Sequence, residues 1–68
     1  MVPRQQRFAN RVKRLRKERG FTQEVLARKT ALTREYIARL EQCLHDPSLS
    51  VLVKLAKVLK VKVGKLIA

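Results

Sequence analysis

Basic side chains are the residues of this sequence that could do chemistry, and that chemistry is the binding of anions. Seventeen Lys and Arg stand against five Asp and Glu, which gives the 68 residues a net charge of +12. Because so large an excess of one sign repels itself in a compact chain, it predicts a polyanionic partner. The basic residues are densest near the start of the chain, at Arg4, Arg7, Arg11, Lys13, Arg14, Arg16, Lys17 and Arg19.

Groups suited to catalysis or metal binding are scarce in the sequence. Cys43 and His45 are the only cysteine and the only histidine, so the chain by itself cannot form a disulfide or complete a four-ligand zinc site. The sequence also has no glycine-rich phosphate loop and no cluster of carboxylates. We therefore expect no enzyme activity, no metal and no cofactor. Both residues are expected in a turn, and a phosphate contact by His45 is the alternative.

Membrane and export signals are not seen in the sequence. The longest apolar runs, such as residues 51–53, end at a lysine and fall far short of the roughly 20 residues of a membrane span. The basic start of the chain lacks the apolar stretch of a signal peptide. These features predict a soluble intracellular protein.

Apolar residues spaced three and four apart predict five short helices, over about residues 4–19, 23–29, 34–42, 49–60 and 63–67. Thr22, Thr33 and Ser48 are the predicted N-caps, and Gly20 is a left-handed stop after the first helix. One all-α domain over residues 1–68 follows. The expected core consists of Phe8, Val12, Leu15, Val25, Leu26, Ala27, Ile37, Leu40, Leu49, Leu52, Leu55, Ala56 and Leu59.

Residues 23–42 meet the requirements of two short helices joined by a tight turn in a basic domain, which is a helix-turn-helix. Ala27 is the small residue needed where the helices cross, and Leu32 is an apolar plug after the turn. Ile37 and Leu40, three residues apart, can bury the second helix against the first. Together, at these offsets, the features favour this motif over about residues 22–42.

Further stretches complete a pattern: Leu15-Arg16, Gly20, Thr22-Gln23, Leu26-Ala27, Tyr36-Ile37-Ala38-Arg39-Leu40-Glu41, Asp46-Pro47-Ser48-Leu49 and Leu55-Ala56-Lys57-Val58-Leu59. With them, over about residues 8–67, the chain resembles the phage repressor and Cro-type helix-turn-helix regulators, also called the xenobiotic-response-element family. The resemblance implies a compact five-helix DNA-binding domain whose third helix lies in the major groove.

Three positions depart from the family's pattern. Ala31 stands where a turn glycine is usual, Cys43 where a glycine usually follows the reading helix, and Asp46 where Asn usually precedes proline. A left-handed conformation at Ala31 costs about 1–2 kcal/mol. Asp46 weakens one phosphate contact that the resemblance implies.

The third helix begins at Thr33, and residues near its start are expected to point at base edges. The outward candidates beside Thr33 are Arg34, Glu35, Tyr36 and Arg39. Arginine can bind guanine O6 and N7, while Glu35 can accept from cytosine N4 or orient an arginine. The alternative is that all of them are ordinary solvated helix side chains.

Three further sites are expected to support such a helix. Gln23 opens the second helix, where free backbone N–H groups attract a phosphate, and the resemblance implies that its side chain braces there; a plain first-turn polar residue is the alternative. The resemblance also pairs Arg16 with Glu41, and we expect a partly buried bidentate ion pair that holds the reading helix rather than two independent surface charges. Residues 1–7 are either a flexible basic arm on the DNA or a solvated helix face.

The predicted function is sequence-specific binding of double-stranded DNA by a cytoplasmic, nucleoid-associated regulator, most simply a repressor. Because one small domain reads few base pairs, we expect a homodimer on a two-fold symmetric operator. Val63, Leu66 and Ile67 are the dimer candidates, since they exceed the needs of one small core. One alternative is an antitoxin-like DNA-binding module that neutralises a protein partner. Another is a membrane-active or nonspecific RNA-binding helical protein, which the inward-facing apolar pattern disfavours.

Overall fold

The computed structural model describes the backbone of residues 4–67 and the side chains of residues 6–67. Its helices are α1 (Arg4–Glu18), α2 (Gln23–Thr30), α3 (Arg34–Glu41), α4 (Leu49–Leu59) and α5 (Val63–Ile67). The predicted all-α, five-helix class is confirmed, and every helix end lies within one residue of its predicted place. Of the segment 1–7, residues 4–7 belong to α1, while residues 1–3 lie outside the described part. None of the described helices is long and apolar enough to cross a membrane.

Three helices begin at a hydroxyl side chain, as predicted. In each case the hydroxyl accepts a hydrogen bond from the backbone N–H three residues later, which satisfies a donor that the first turn leaves unpaired. The pairs are Thr22 with Val25 at 3.1 Å, Thr33 with Tyr36 at 3.0 Å, and Ser48 with Val51 at 3.3 Å.

Each of the first four helices is followed by a residue in the left-handed conformation. These residues are Gly20, Ala31, Cys43 and Lys60, with φ of 70°, 58°, 64° and 58°. The chain then turns back on the helix, as in the 2.8 Å bond from the Leu32 N–H to the Ala27 carbonyl. Glycine adopts this conformation freely, whereas a side chain costs about 1–2 kcal/mol. The tight turns therefore persist at Ala31 and Cys43 although both lack glycine.

One apolar core joins all five helices, and it is built largely from the predicted residues. Its largest fully buried side chains are Leu26, Ile37, Leu40, Leu55, Leu59, Leu66 and Val12. The helices α2 and α3 pack against each other, while α1 contacts α3, α4 and α5. The core thus fixes α3 from one side and leaves its other side at the surface.

The predicted burial of Leu49 is wrong, because its side chain is 73% exposed and Val51 is buried instead. At about 100° per residue, Leu49 lies about 120° around α4 from Leu55, outside the stripe that Val51 and Leu59 share with Leu55. Two further predicted core residues, Val25 and Leu52, are only half-buried.

Leu66 is also misassigned as a dimer candidate. Its side chain is fully buried within its own chain, where α5 packs on α1 and α4, so no second copy can reach it. Val63 is half-buried against the same core, and Ile67 is exposed. The core therefore takes up Leu66 fully and Val63 in part, and of the three candidates Ile67 remains exposed.

Candidate nucleic-acid interface

The helix pair α2–α3 forms the predicted helix-turn-helix. Ala27 is buried among the core residues, and Leu32 packs half-buried against the core directly after the turn. Thr30 is buried as well, and its hydroxyl donates to the Leu26 carbonyl at 2.8 Å. These contacts tie the turn to α2, so the start of α3 is held in a fixed place.

The outer face of α3 carries most of the predicted contact residues. Ile37 and Leu40 are fully buried, whereas Thr33, Arg34, Glu35 and Arg39 are exposed and Tyr36 is half-buried. The structure thus brings the predicted DNA contacts of α3 to one surface. This surface presents the guanidinium groups of Arg34 and Arg39 and the carboxylate of Glu35 to the solvent.

Glu35 and Arg39 form an ion pair on this surface. Arg39 Nη2 lies 2.8 Å from Glu35 Oε1, one turn away along α3. An exposed pair of this kind stabilises a helix by only about 0.3–0.5 kcal/mol. Its consequence is geometric, because the carboxylate orients the guanidinium, one of the two roles predicted for Glu35.

Tyr36 stacks on His45, a contact that the sequence does not predict. The ring centroids are 5.3 Å apart and the ring planes differ by 11°. His45 reaches Tyr36 because the chain reverses after α3, at the left-handed Cys43. No periodicity signals such a contact, since His45 belongs to no helix.

The predicted ion pair links α1 to the end of α3. Arg16 Nε donates to Glu41 Oε2 at 2.7 Å, and Arg16 Nη2 donates to Glu41 Oε1 at 3.1 Å. The two side chains are 9% and 3% exposed. Arg16 Nη1 also donates to the Phe21 carbonyl at 2.8 Å, so the same guanidinium fixes the loop before α2.

Gln23 joins this ion pair, and the sequence does not predict that contact. Its Nε2 donates to Glu41 Oε1 at 3.1 Å. The Gln23 side chain is therefore held at the start of α2, and an amide nitrogen with two N–H groups retains a second donor. Glu41 sits at the C-terminal end of α3, where the helix dipole disfavours a carboxylate. Three donated hydrogen bonds offset that penalty.

Charge is divided unevenly between this unit and the rest of the chain. Residues 22–42 hold four basic and three acidic side chains, a net charge of +1, so +11 of the total +12 lies outside them. Two of the three acids lie within 4 Å of an arginine one turn away, as in the Arg28–Glu24 contact of 3.6 Å. Within the described chain, no three side chains of His, Cys, Asp or Glu could hold a metal ion together.

Comparison with known proteins gives a family match and individual relatives. A sequence model described as helix-turn-helix matches residues 12–66. An immunity repressor protein of Bacillus phage phi105 is 42% identical over 57 residues, which are 84% of this chain and 40% of the repressor. The chain therefore spans less than half the length of that relative.

Solved structures share the fold. The restriction-modification controller protein C.AhdI from Aeromonas hydrophila superposes with a TM-score of 0.86 at 33% identity, over 90% of this chain and 92% of that chain. SinR of Bacillus subtilis, a master regulator for biofilm formation, superposes in a complex with DNA with a TM-score of 0.86 at 34% identity, over 90% and 98% of the two chains. A complex of SinR with the SinI protein gives 0.83 at 35% identity, over 87% and 58%.

Proposed function

Because the chain belongs to the phage-repressor and Cro-type helix-turn-helix family of DNA-binding transcription regulators, we propose that it represses transcription by occupying an operator. The outer face of α3 carries this proposal, since Arg34, Glu35 and Arg39 are exposed there while Ile37 and Leu40 hold the helix from behind. In this function α3 lies in the major groove, whose base edges distinguish all four base pairs. In this function the protein acts in the cytoplasm, on the DNA that carries the operator.

Each outward residue of α3 has a role that its chemistry supports. Arg34, at the first position of the helix, binds guanine O6 and N7 with two hydrogen bonds. Arg39 is aimed by Glu35, and Glu35 retains an acceptor oxygen for cytosine N4. Tyr36 lies against the DNA backbone beside the major groove. Thr33 caps the N-terminus of α3, the helix that carries these residues.

Gln23 supplies a phosphate contact at the start of α2. The free N–H groups and the positive end of the helix dipole attract an anion there. The hydrogen bond from Gln23 to Glu41 holds the amide in place, and its second N–H remains for a phosphate oxygen. The Arg16–Glu41 ion pair thus holds α3 in place and also holds Gln23, which contacts the DNA backbone at the start of α2.

A homodimer on a two-fold symmetric operator completes the proposal. Specific affinity needs two domains on half-sites about 34 Å apart. Apolar side chains for self-association are exposed at Leu49, Val53 and Ile67. Leu49 and Val53 are one turn apart on α4, so they share one face of that helix.

Selection of bound sites from random duplex DNA tests this function. We expect a two-fold symmetric consensus whose half-sites are about one helical turn apart. Enrichment of an asymmetric short site would contradict the homodimer. The absence of any enriched sequence would contradict operator recognition itself.

A second candidate is an antitoxin-like module whose main role is binding a protein partner. The SinR–SinI complex favours it, since a domain of this fold occurs there with a second protein. The products of neighbouring genes are the partners to test. A neighbour that binds this protein and releases it from DNA would support this candidate over the repressor.

A further inference from the structure

A second concentration of positive charge lies along α1 and α5, away from the helix-turn-helix. We define the α1–α5 face by the residues Arg7, Arg11, Arg14 and Lys65. Two shallow grooves run along it: Arg7, Asn10, Arg11 and Arg14 line one, and Arg11, Arg14, Leu15, Val61 and Lys65 line the other. Arg11 Nη1 donates to the Lys65 carbonyl at 2.6 Å, which holds α5 beside α1.

The α1–α5 face points away from α3. Arg7, Arg11 and Arg14 recur at three and four residues, so they form one row along α1. At about 100° per residue, that row lies roughly 170° around α1 from Arg16, whose side chain meets Glu41 of α3. DNA held by α3 therefore lies on the other side of the domain.

Within the part of the chain that the structure describes, acidic side chains do little to neutralise Arg7 and Arg14 of this row. Within the described chain Glu18 pairs with it, at 3.7 Å from Arg14, and both side chains are more than half exposed. The acids of the helix-turn-helix are engaged elsewhere, with Arg28, Arg39 and Arg16. The face keeps its attraction for anions.

We propose that the α1–α5 face binds the phosphate backbone of a second DNA duplex while α3 holds the operator, so that the protein bridges two DNA segments. The proposal rests on the proposed function only for the first duplex. Arginines about 5–6 Å apart along a helix match a ligand with repeated anions, and the guanidinium fork binds phosphate oxygens in pairs.

The surroundings of the row favour nucleic acid over an acidic protein. Protein interfaces depend on apolar or aromatic anchors that become buried on binding. The apolar lining of the grooves is Leu15, which is already buried, and Val61, which is half-buried. The exposed Leu, Val and Ile side chains line neither groove. Binding at this face must therefore be electrostatic.

A bridging assay tests the proposal with a matched control. A duplex carrying the selected operator is immobilised and saturated with protein, unbound protein is washed away, and a labelled duplex without the operator is added. We expect wild type to capture the second duplex. Arg7→Gln/Arg14→Gln should reduce capture about tenfold and lower the salt slope of capture by about 2, since two phosphate contacts are lost. Arg11 is left intact because it holds α5.

The control Lys57→Gln/Lys60→Gln removes the same charge from the last turn of α4 and the residue after it, and should capture like wild type. The proposal is overturned if wild type captures no second duplex, if the arginine variant captures like wild type, or if the control loses as much. Capture of polyglutamate in place of the duplex would assign the face to acidic proteins and also overturn it. If wild type does not retain the operator, the proposed function fails. The α1–α5 face is then tested independently. Each double variant is tethered through its C-terminus, and the arginine variant should bind a duplex more weakly than the lysine control.

Discussion

Arg16 and Glu41 join the first helix to the end of the third through two hydrogen bonds of 2.7 and 3.1 Å between side chains that are almost fully buried. A buried ion pair of this kind adds little net stability, because desolvation of both charges offsets their attraction. Its main effect is on geometry, since a bidentate pair allows one relative placement of the two helices. The orientation of α3 therefore depends on a contact far from its outer face.

Removal of one partner of this pair should unfold much of the protein. Glu41→Ala leaves the Arg16 guanidinium buried without its carboxylate, at a cost of about 3–5 kcal/mol. Glu35→Ala removes a carboxylate from the same helix but from an exposed pair, so its cost should stay below about 1 kcal/mol. Thermal melts followed by circular dichroism compare the two. Equal melting temperatures for Glu41→Ala and wild type would show that the pair does not hold α3.

The sequence predicts most of this fold because local chemistry determines it. Hydroxyl caps and the left-handed residues after the helices set the helix ends within one residue. The Arg16–Glu41 pair is predicted by the family resemblance, with which the place of both residues beside core positions of their own helices agrees. The exposure of Leu49 follows from its angle around α4, which the choice of core residues overlooked. The burial of Leu66 does not follow from the sequence, because it depends on how α5 packs against α1 and α4.

Two contacts of the site do not follow from the sequence, and the reason is the same for both. The stack of His45 on Tyr36 requires the path of residues 42–48, and the hydrogen bond from Gln23 to Glu41 requires the crossing of α2 over the end of α3. Neither follows from periodicity or charge. Tertiary geometry decides them.

A glycine at the turn between α2 and α3 should stabilise the protein. Ala31 has φ of 58°, so Ala31→Gly removes a conformational penalty of about 1–2 kcal/mol. Glycine also raises the conformational entropy of the unfolded chain, which costs about 0.4–1 kcal/mol of stability. We expect a melting temperature about 3–6 °C higher. Ala38→Gly is the matched control within α3 and should lower it, because glycine destabilises a helix interior by about 0.5–1 kcal/mol. A lower melting temperature for Ala31→Gly would mean that its left-handed conformation is not strained.

Arg34→Ala should weaken operator recognition while the fold stays intact. The loss of a bidentate guanine contact costs about 1–3 kcal/mol on the selected operator and relaxes the preference at one base pair. Lys57→Ala, on the outer side of α4, should bind like wild type. Titration of both variants against the operator and its single-base variants measures the effect. If Arg34→Ala weakens binding equally on all sequences, Arg34 contacts phosphate and not a base.

Operator affinity should depend steeply on salt. With about six to ten phosphates contacted in each complex, affinity should fall by about 10³–10⁵ between roughly 50 and 200 mM salt. The net charge of +12 is the basis for this expectation. Fluorescence anisotropy across this range gives the slope, and a flat response would show that counterion release does not drive binding.

His45→Ala should weaken operator binding and lower stability by no more than about 0.5–1.5 kcal/mol. The stack on His45 restrains Tyr36, which stands at the edge of the outer face of α3. An aromatic pair contributes about 0.5–1.5 kcal/mol. Without the stack, binding must itself fix the position of Tyr36, so the affinity of the protein for the operator should fall by up to about tenfold. Tyr36→Phe keeps the stack and removes only the hydroxyl. Comparison of the two variants therefore separates the effect of the ring position from the effect of the hydroxyl. Both affinities are measured on the selected operator, with thermal melts alongside. If His45→Ala binds like wild type while Tyr36→Phe binds weakly, the hydroxyl of Tyr36 acts without the stack, and His45 is an ordinary turn residue.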